Sequence, residues 1–294
     1  MFMHSLSLNS PAKVNLTLSV HARRRDGYHC LSSLVVALAF GDQLHISLNK
    51  YSKDQFYCSN PEVPSGENNL ILKAAAAFRS ITGIGNFFDF ELEKHIPIGA
   101  GLGGGSSNAA VALRGMNELS GSPLSGLELL KTAAKIGSDC SFFIHMLPAN
   151  LSGRGEIVDL LPKEQAIKLS GKKIVLFCPP FRVSTAWAYQ RLIEANPPCY
   201  ESVKVHKARI DAFLASSCIT ELLSNTFEAC VGSKYLAIPC LLEKLRANGI
   251  PCSMTGSGSC CFALTKSRSN IEEIRILCNE AWGNEIFFVE TSIL

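Results

Sequence analysis

Five glycines crowd the segment Pro97-Ile98-Gly99-Ala100-Gly101-Leu102-Gly103-Gly104-Gly105-Ser106-Ser107. Taking away side chains at so many neighbouring positions lets a ligand come close to the main chain. Phe88, Phe90 and Leu92 alternate as a strand before this loop, and Ala109 to Leu119 reads as a helix after it, with Ser106, Ser107 and Asn108 available as N-caps. A helix that starts at such a loop aims its unpaired N–H groups and the positive end of its dipole into the same space. The chemistry this favours is anion binding, and phosphate is the usual anion.

The two commonest phosphate loops do not fit. A P-loop needs a lysine directly after its glycines, and none follows here. Gly99-x-Gly101-x-x-Gly104 matches the dinucleotide fingerprint, but the preceding strand alternates where a doubly buried strand would be continuously apolar. About twenty residues on, where an acid should hold a ribose, stands Leu124; the nearest acids are Glu118 and Glu128. An NAD enzyme is the runner-up on these grounds. A second glycine turn, Thr255-Gly256-Ser257-Gly258-Ser259, is by itself as compatible with a plain hairpin as with a ligand wall.

The elements that must position these loops are a mixture of strands and helices. Ala12, Val14, Leu16, Leu18 and Val20 alternate with Lys13, Asn15, Thr17 and Ser19, which predicts a strand with one buried face. Arg25-Asp26-Gly27-Tyr28 reads as a turn, Leu31 to Phe40 as a strand, Gly41-Asp42 as a turn, and Gln43 to Leu48 as a further strand of an antiparallel meander. Helices are predicted over 69–80, 127–136, 185–194 and 270–282, and through much of 201–248. Strands are predicted over 173–177, 253–264 around the second glycine turn, and 286–290. Gly153, Gly155 and Pro162 interrupt the pattern, so the domain boundary is placed near 153–163, dividing the chain into 1–158 and 159–294.

Bulk properties bound the reading. In 294 residues, 47% are hydrophobic and 18% charged, enough for a sizeable core and too few charges for a disordered chain. The formal charge of +3 and a single short basic run, Arg23-Arg24-Arg25, exclude a nucleic-acid binder with a concentrated basic face. The start Met1-Phe2-Met3-His4-Ser5 shows no basic-then-apolar leader, and the longest apolar run, Leu34 to Phe40, is far short of the ~20 residues of a membrane span, so a cytoplasmic protein is expected. The twelve cysteines include no C-x-x-C pair, which favours reduced thiols used as small apolar residues over zinc ligands.

Three segments stand together: Pro11-Ala12-Lys13-Val14-Asn15-Leu16, the glycine loop with Asn108-Ala109-Ala110, and Met254-Thr255-Gly256-Ser257-Gly258-Ser259-Cys260. In this order and spacing the chain resembles the GHMP kinase family of small-molecule kinases. Arg25-Asp26-Gly27-Tyr28-His29, Glu67-Asn68-Asn69-Leu70-Ile71 and Ile136-Gly137-Ser138-Asp139-Cys140 are similar to one member, whose acceptor is an alcohol carrying a cytidyl diphosphate. The likeness covers most of the chain and weakens between about 195 and 250. Gly137-Ser138-Asp139-Cys140-Ser141 departs from the family's usual Gly-Ala-Asp before Val-Pro, a small-for-small change.

The resemblance implies an α+β fold of two domains, an N-terminal domain of ribosomal-protein-S5-domain-2 type and a ferredoxin-like C-terminal domain. It implies ATP as phosphoryl donor, with Mg²⁺ bridging phosphate oxygens, no metal site of the protein's own, and the loop 97–107 with Asn69 and Leu70 around the nucleotide. Asp139, which alone would read as a turn residue, becomes the base for the acceptor hydroxyl. Lys13, alone a solvated lysine, is expected near it, keeping it ionised and offsetting transition-state charge. Asn15, Tyr28, His29, Tyr189, Gly256, Ser257 and Gly258 are expected on the substrate side, with Tyr28 and His29 suited to a cytosine ring and Tyr189 equally readable as core. The alternatives are a family kinase for homoserine or mevalonate-type alcohols, and a non-catalytic nucleotide sensor on the same fold. Monomer and homodimer both remain open.

Overall fold

The computed structural model describes residues 4–23, 29–195 and 199–294. Tyr28 and the turn expected at 25–28 lie outside the described residues. The chain divides into two compact units, and neither is one stretch of sequence. Unit one comprises 1–12, 40–98 and 103–146; unit two comprises 13–39, 99–102 and 147–294. Strands β1 (Ser5–Arg23) and β2 (His29–Asn49) each run from one unit into the other.

In unit one, the second half of β2 pairs antiparallel with β4 (Phe87–Glu93), and β4 pairs parallel with β3 (Gln55–Cys58). Helices α1 (Leu70–Thr82), α2 (Gly104–Leu119) and α3 (Gly126–Ile136) cover this sheet, followed by the single turn α4 (Phe142–His145). Leu44, Phe88 and Phe90 from the strands pack with Ile71, Phe78, Leu113 and Met116 from the helices. Burying each such large side chain stabilises the fold by ~1.5–3 kcal/mol before entropy is counted. Asn69 caps α1, its Oδ1 accepting from Ile71 N at 2.8 Å, and Gly83 ends the helix in the left-handed region.

The expected turn at Gly41-Asp42 is a strand interior, and no meander forms there. Residues 31–40 and 43–48 belong to the one strand β2. A Cβ at Gly41 would stand 2.4 Å from Ser10 O, so glycine here serves close strand contact and not a bend. Asp42, fully buried, accepts from His95 N and Ile96 N at 2.8 Å each and from Asn108 Nδ2 at 2.8 Å, and pairs with Lys94. A Gly-Asp pair reads locally as a turn; tertiary contacts decide otherwise.

In unit two, the first half of β2 pairs with β5 (Ala149–Ser152), which forms a hairpin with β6 (Ile157–Leu160), and β1 pairs parallel with the two-residue β8 (Ser224–Asn225). A four-stranded antiparallel sheet follows in the order β11-β7-β10-β9, from β7 (Lys173–Cys178), β9 (Cys252–Met254), β10 (Cys261–Leu264) and β11 (Phe287–Ser292). In chain order this is fourth-first-third-second, the ferredoxin-like arrangement. Its helices are α5 (Lys163–Leu169), α6 (Thr185–Glu194), α7 (Val203–Ser216), α8 (Phe227–Gly232), α9 (Ala237–Ala247) and α10 (Arg268–Trp282), with a 3₁₀ turn at Ile219–Leu222. Val175, Phe177, Leu241, Leu245 and Ile274 share one core with Leu18 and Val20 of β1.

The polar face of β1 is not solvated. Lys13, Asn15, Thr17 and Ser19 are all buried, like the apolar residues they alternate with. All twelve cysteines are free thiols, and seven are buried. Among the described residues no helix is long and apolar enough to cross a membrane, and no cluster of three or more His, Cys, Asp or Glu could hold a metal ion.

Candidate active site

The glycine loop falls into two parts. Gly99 to Leu102 belong to unit two and pack on the second glycine turn. Cys260 N donates to Ala100 O at 3.2 Å and Lys13 N to Leu102 O at 3.0 Å. Gly101 has φ 83°, and a Cβ there would meet Thr255 O at 2.4 Å. Only glycine satisfies both conditions, so the two glycine turns fit backbone against backbone.

The second part, from Gly103, opens α2 in unit one. The helix begins at Gly104, five residues earlier than the sequence suggests, because Ser106, Ser107 and Asn108 are not its caps. Ser107 Oγ accepts from Ser10 Oγ at 2.8 Å, and Asn108 Nδ2 donates to Ser10 Oγ and to Asp42. The N-cap is Gly103, which has no side chain to satisfy the first amides, and the first turn carries no acid. A Cβ at Gly104 would lie 2.7 Å from Lys94 Nζ and 3.1 Å from Ile96 Cγ2. Glycine at 104 thus lets the helix start pack closely on Lys94 and Ile96, and its first amides carry no side-chain cap, which suits a phosphate.

Asp139 stands half-buried in the turn after α3, three residues past Ile136, where Cys140 N donates to Gly137 O at 3.1 Å. Beside it the Cys140 thiol is pushed up to about 12 by burial, and is therefore no nucleophile at neutral pH. Asn69 spends its side chain on the α1 cap and on Pro64 O, and Leu70 is within 3.6 Å of where a Gly105 Cβ would be.

In unit two, Asn15 joins β1 to the second glycine turn. Its Oδ1 accepts from Lys13 Nζ at 2.7 Å, Thr255 Oγ1 at 3.1 Å and Gly256 N at 3.0 Å, and its Nδ2 donates to Ser33 Oγ at 2.7 Å. The turn is also held from behind: Asn225 Nδ2 donates to Met254 O and Gly256 O, and Ser259 Oγ donates to Phe181 O. Ser257 Oγ is 2.7 Å from Thr185 Oγ1 at the start of α6, the helix that carries Tyr189.

His29 is buried, and its Nδ1 is 3.0 Å from His21 O. Its Nε2 has no hydrogen-bond partner among the described residues. The ring of Tyr189 lies 5.7 Å away and that of Tyr200 5.4 Å away, both tilted to the imidazole. An unpaired buried imidazole nitrogen costs free energy unless a ligand meets it.

Sequence reasoning missed the residues that hold Tyr200. Glu201 N donates to Val20 O at 3.0 Å, and Arg209 grips the Glu201 carboxylate through two bonds of 2.7 Å. Ser19 Oγ donates to the same carboxylate and lies 3.1 Å from His206 Nδ1, while His21 Nδ1 is 2.7 Å from Glu201 O. Burial alone would raise the Glu201 carboxyl, but the hydrogen bonds from Arg209 and Ser19 outweigh it and hold it below the usual range. The one available signal was the polar face of β1, since Ser19 and His21 alternate with core residues.

The family model for the GHMP kinases N terminal domain matches residues 69–146, and that for GHMP kinases C terminal matches residues 209–279. The chain is 38% identical over 256 residues to the chloroplastic 4-diphosphocytidyl-2-C-methyl-D-erythritol kinase of Oryza sativa subsp. japonica, covering 86% of this chain and 63% of that protein. It therefore spans under two thirds of the rice relative's length. It is 33% identical over 283 residues to the 4-diphosphocytidyl-2-C-methyl-D-erythritol kinase of Pelobacter propionicus, covering 96% of this chain and 97% of that one. A crystal structure of 4-(cytidine 5'-diphospho)-2C-methyl-D-erythritol kinase superposes with a TM-score of 0.77 at 28% identity, over 98% of this chain and 99% of that chain.

Proposed function

The chain belongs to the GHMP kinase family, and on that premise we propose that it transfers the γ-phosphoryl group of ATP to the 2-hydroxyl of 4-diphosphocytidyl-2-C-methyl-D-erythritol, a step in making isoprenoid precursors. The observation that carries the substrate assignment is His29. Its buried, unpartnered Nε2 beside two tyrosine rings offers a hydrogen bond and an aromatic wall to a flat base. A small alcohol such as homoserine or mevalonate has no flat ring to lie against this wall.

The start of α2 takes the phosphates of ATP, with the open amides of Gly104 and Gly105 as donors and the loop from Pro97 to Ser107 around them. Mg²⁺ would accompany ATP and would offset the charge of its phosphates, since among the described residues no cluster of three or more His, Cys, Asp or Glu would hold the ion by itself. Asp139 accepts the proton of the attacking hydroxyl. Lys13 offsets the negative charge that spreads over the phosphoryl oxygens, its ammonium oriented by Asn15. Tyr28, by the family resemblance, and Tyr189 are the stacking partners of the cytosine, and Gly256, Ser257 and Gly258 approach the substrate through backbone and hydroxyl. Asn69 and Leu70 line the adenine side. The division at 158 fits the family-model matches, which fall on either side of it. An ATP-dependent reaction on a small phosphorylated alcohol fits a cytoplasmic enzyme.

The test is a panel of acceptors, with and without the cytidyl diphosphate. The cytidyl alcohol should turn over at least a hundredfold faster than homoserine, mevalonate or galactose. Comparable rates on any of these would refute the assignment.

A further inference from the structure

A cavity of about 190 Å³ opens in unit two at one end of the strands of the four-stranded sheet. It lies where β7 begins, β10 ends and β9 is about to start. The glycine turn 255–260 is at the opposite end of the β9–β10 hairpin, roughly 10 Å away along three strand residues. The cavity is therefore a different place from the site described above.

Its floor is apolar, from Ile250, buried, and Leu264, half-buried. Its rim carries Lys172, Lys173 and Lys266, and no acidic residue is among the lining side chains. Main-chain bonds fix where the lysines stand: Ile293 N donates to Lys172 O at 3.0 Å, and Thr265 N to Lys173 O at 3.1 Å. Among the described residues none of the three ammonium groups has a hydrogen-bond or ion-pair partner. Three lysines on one rim with no acid among the lining residues favour an anionic occupant. The first turn of α10, which has no acid, reaches the same rim through Asn270 and adds the positive end of its dipole. The volume is below the range of drug-sized pockets, so the occupant is small.

We propose that this cavity is a second anion site, which takes a small phosphate monoester with a short apolar tail. The phosphate meets the lysines as a dianion, for which the point charges of lysine suffice. The tail lies on Ile250 and Leu264.

The proposal is tested by isothermal titration of the full chain with n-butyl phosphate, the nucleotide site being saturated with a non-hydrolysable ATP analogue. Inorganic phosphate and n-butanol serve as controls, and the Lys173→Gln/Lys266→Gln variant as the site-directed arm. These side chains are exposed, so the variant is expected to keep wild-type melting temperature and turnover. Butyl phosphate should bind the wild type at one site, at least fivefold tighter than inorganic phosphate. It should lose tenfold or more in the variant, and wild-type amide resonances of Thr265 and Asn270 should shift. Equal binding by wild type and variant, or no binding by the wild type, would overturn the proposal.

Discussion

Asn15 and Thr255, 240 residues apart in sequence, are joined by two hydrogen bonds: Asn15 N donates to Thr255 Oγ1 at 3.1 Å, and Thr255 Oγ1 donates to Asn15 Oδ1 at 3.1 Å. The same Asn15 oxygen accepts from Lys13 Nζ. The second glycine turn is thus linked to the lysine through the side chain of Asn15. Replacing Thr255 by Val removes both of these bonds, leaves Asn15 held by Gly256 N and Ser33 Oγ, and should loosen Lys13. Leaving the buried Asn15 N–H without its acceptor costs about 1–3 kcal/mol, so kcat should fall roughly 5- to 150-fold with little change in the KM for ATP. Steady-state kinetics with both substrates varied would check the split.

Gly101→Ala probes the contact between the two glycine turns. Alanine would be strained at φ 83°, and its Cβ would collide with Thr255 O. Strain of this kind costs on the order of 1–3 kcal/mol, so the melting temperature should drop by several degrees. The variant should also bind ATP more weakly, because the strand of loop leading to α2 has to move. Calorimetry and nucleotide titration read the two effects separately.

His29→Ala should act on substrate binding and leave chemistry alone. With the imidazole gone, KM for the cytidyl alcohol should rise about tenfold or more, the worth of one buried hydrogen bond and its ring contact. The KM for ATP should stay within a factor of two. Tyr200→Ala should reproduce part of the effect. Equal rises in both KM values would mean that His29 acts through the fold.

The cluster that anchors Tyr200 makes stability depend on acid. Burial, with His21 nearby, holds His206 down to about 4. The folded chain thus keeps His206 neutral, while the unfolded chain protonates it near the ordinary value of 6.5. Its contribution is whole above pH 6.5 and is lost as pH falls toward 4, at up to about 1.4 kcal/mol per pH unit. Glu201, held below its ordinary 4.5, adds a further loss below that pH. Denaturant melts from pH 7 to 4.5 should show the slope in the wild type, and His206→Gln should flatten it.

What the sequence disclosed and what it hid have physical causes. The alternation of Ala12 to Val20 and the helical stripes of α1, α3, α6 and α10 are local patterns, and they appear where expected. The start of α2 was misread because Ser106, Ser107 and Asn108 are good caps in isolation. Here their side chains serve Ser10, Asp42 and, through Ser106, the Cys140 thiol. Asp42 itself was invisible, since nothing in Gly41-Asp42 announces that Lys94 and two amides of 95–96 will close on it. The short strands β3, β5, β6 and β8 carry too few residues for a period to show. Tyr200 and Glu201 were missed because their partners, Val20, Ser19 and Arg209, lie up to 182 residues away.

The most direct measurement is phosphorus NMR of the reaction between ATP and 4-diphosphocytidyl-2-C-methyl-D-erythritol, run with wild type and with Asp139→Asn. The wild type should produce ADP and one new phosphomonoester on the 2-hydroxyl in equal amounts. Removing the base should slow the reaction by roughly 10²- to 10⁴-fold. No new phosphomonoester from the wild type, or a variant within a few-fold of it, would contradict the account.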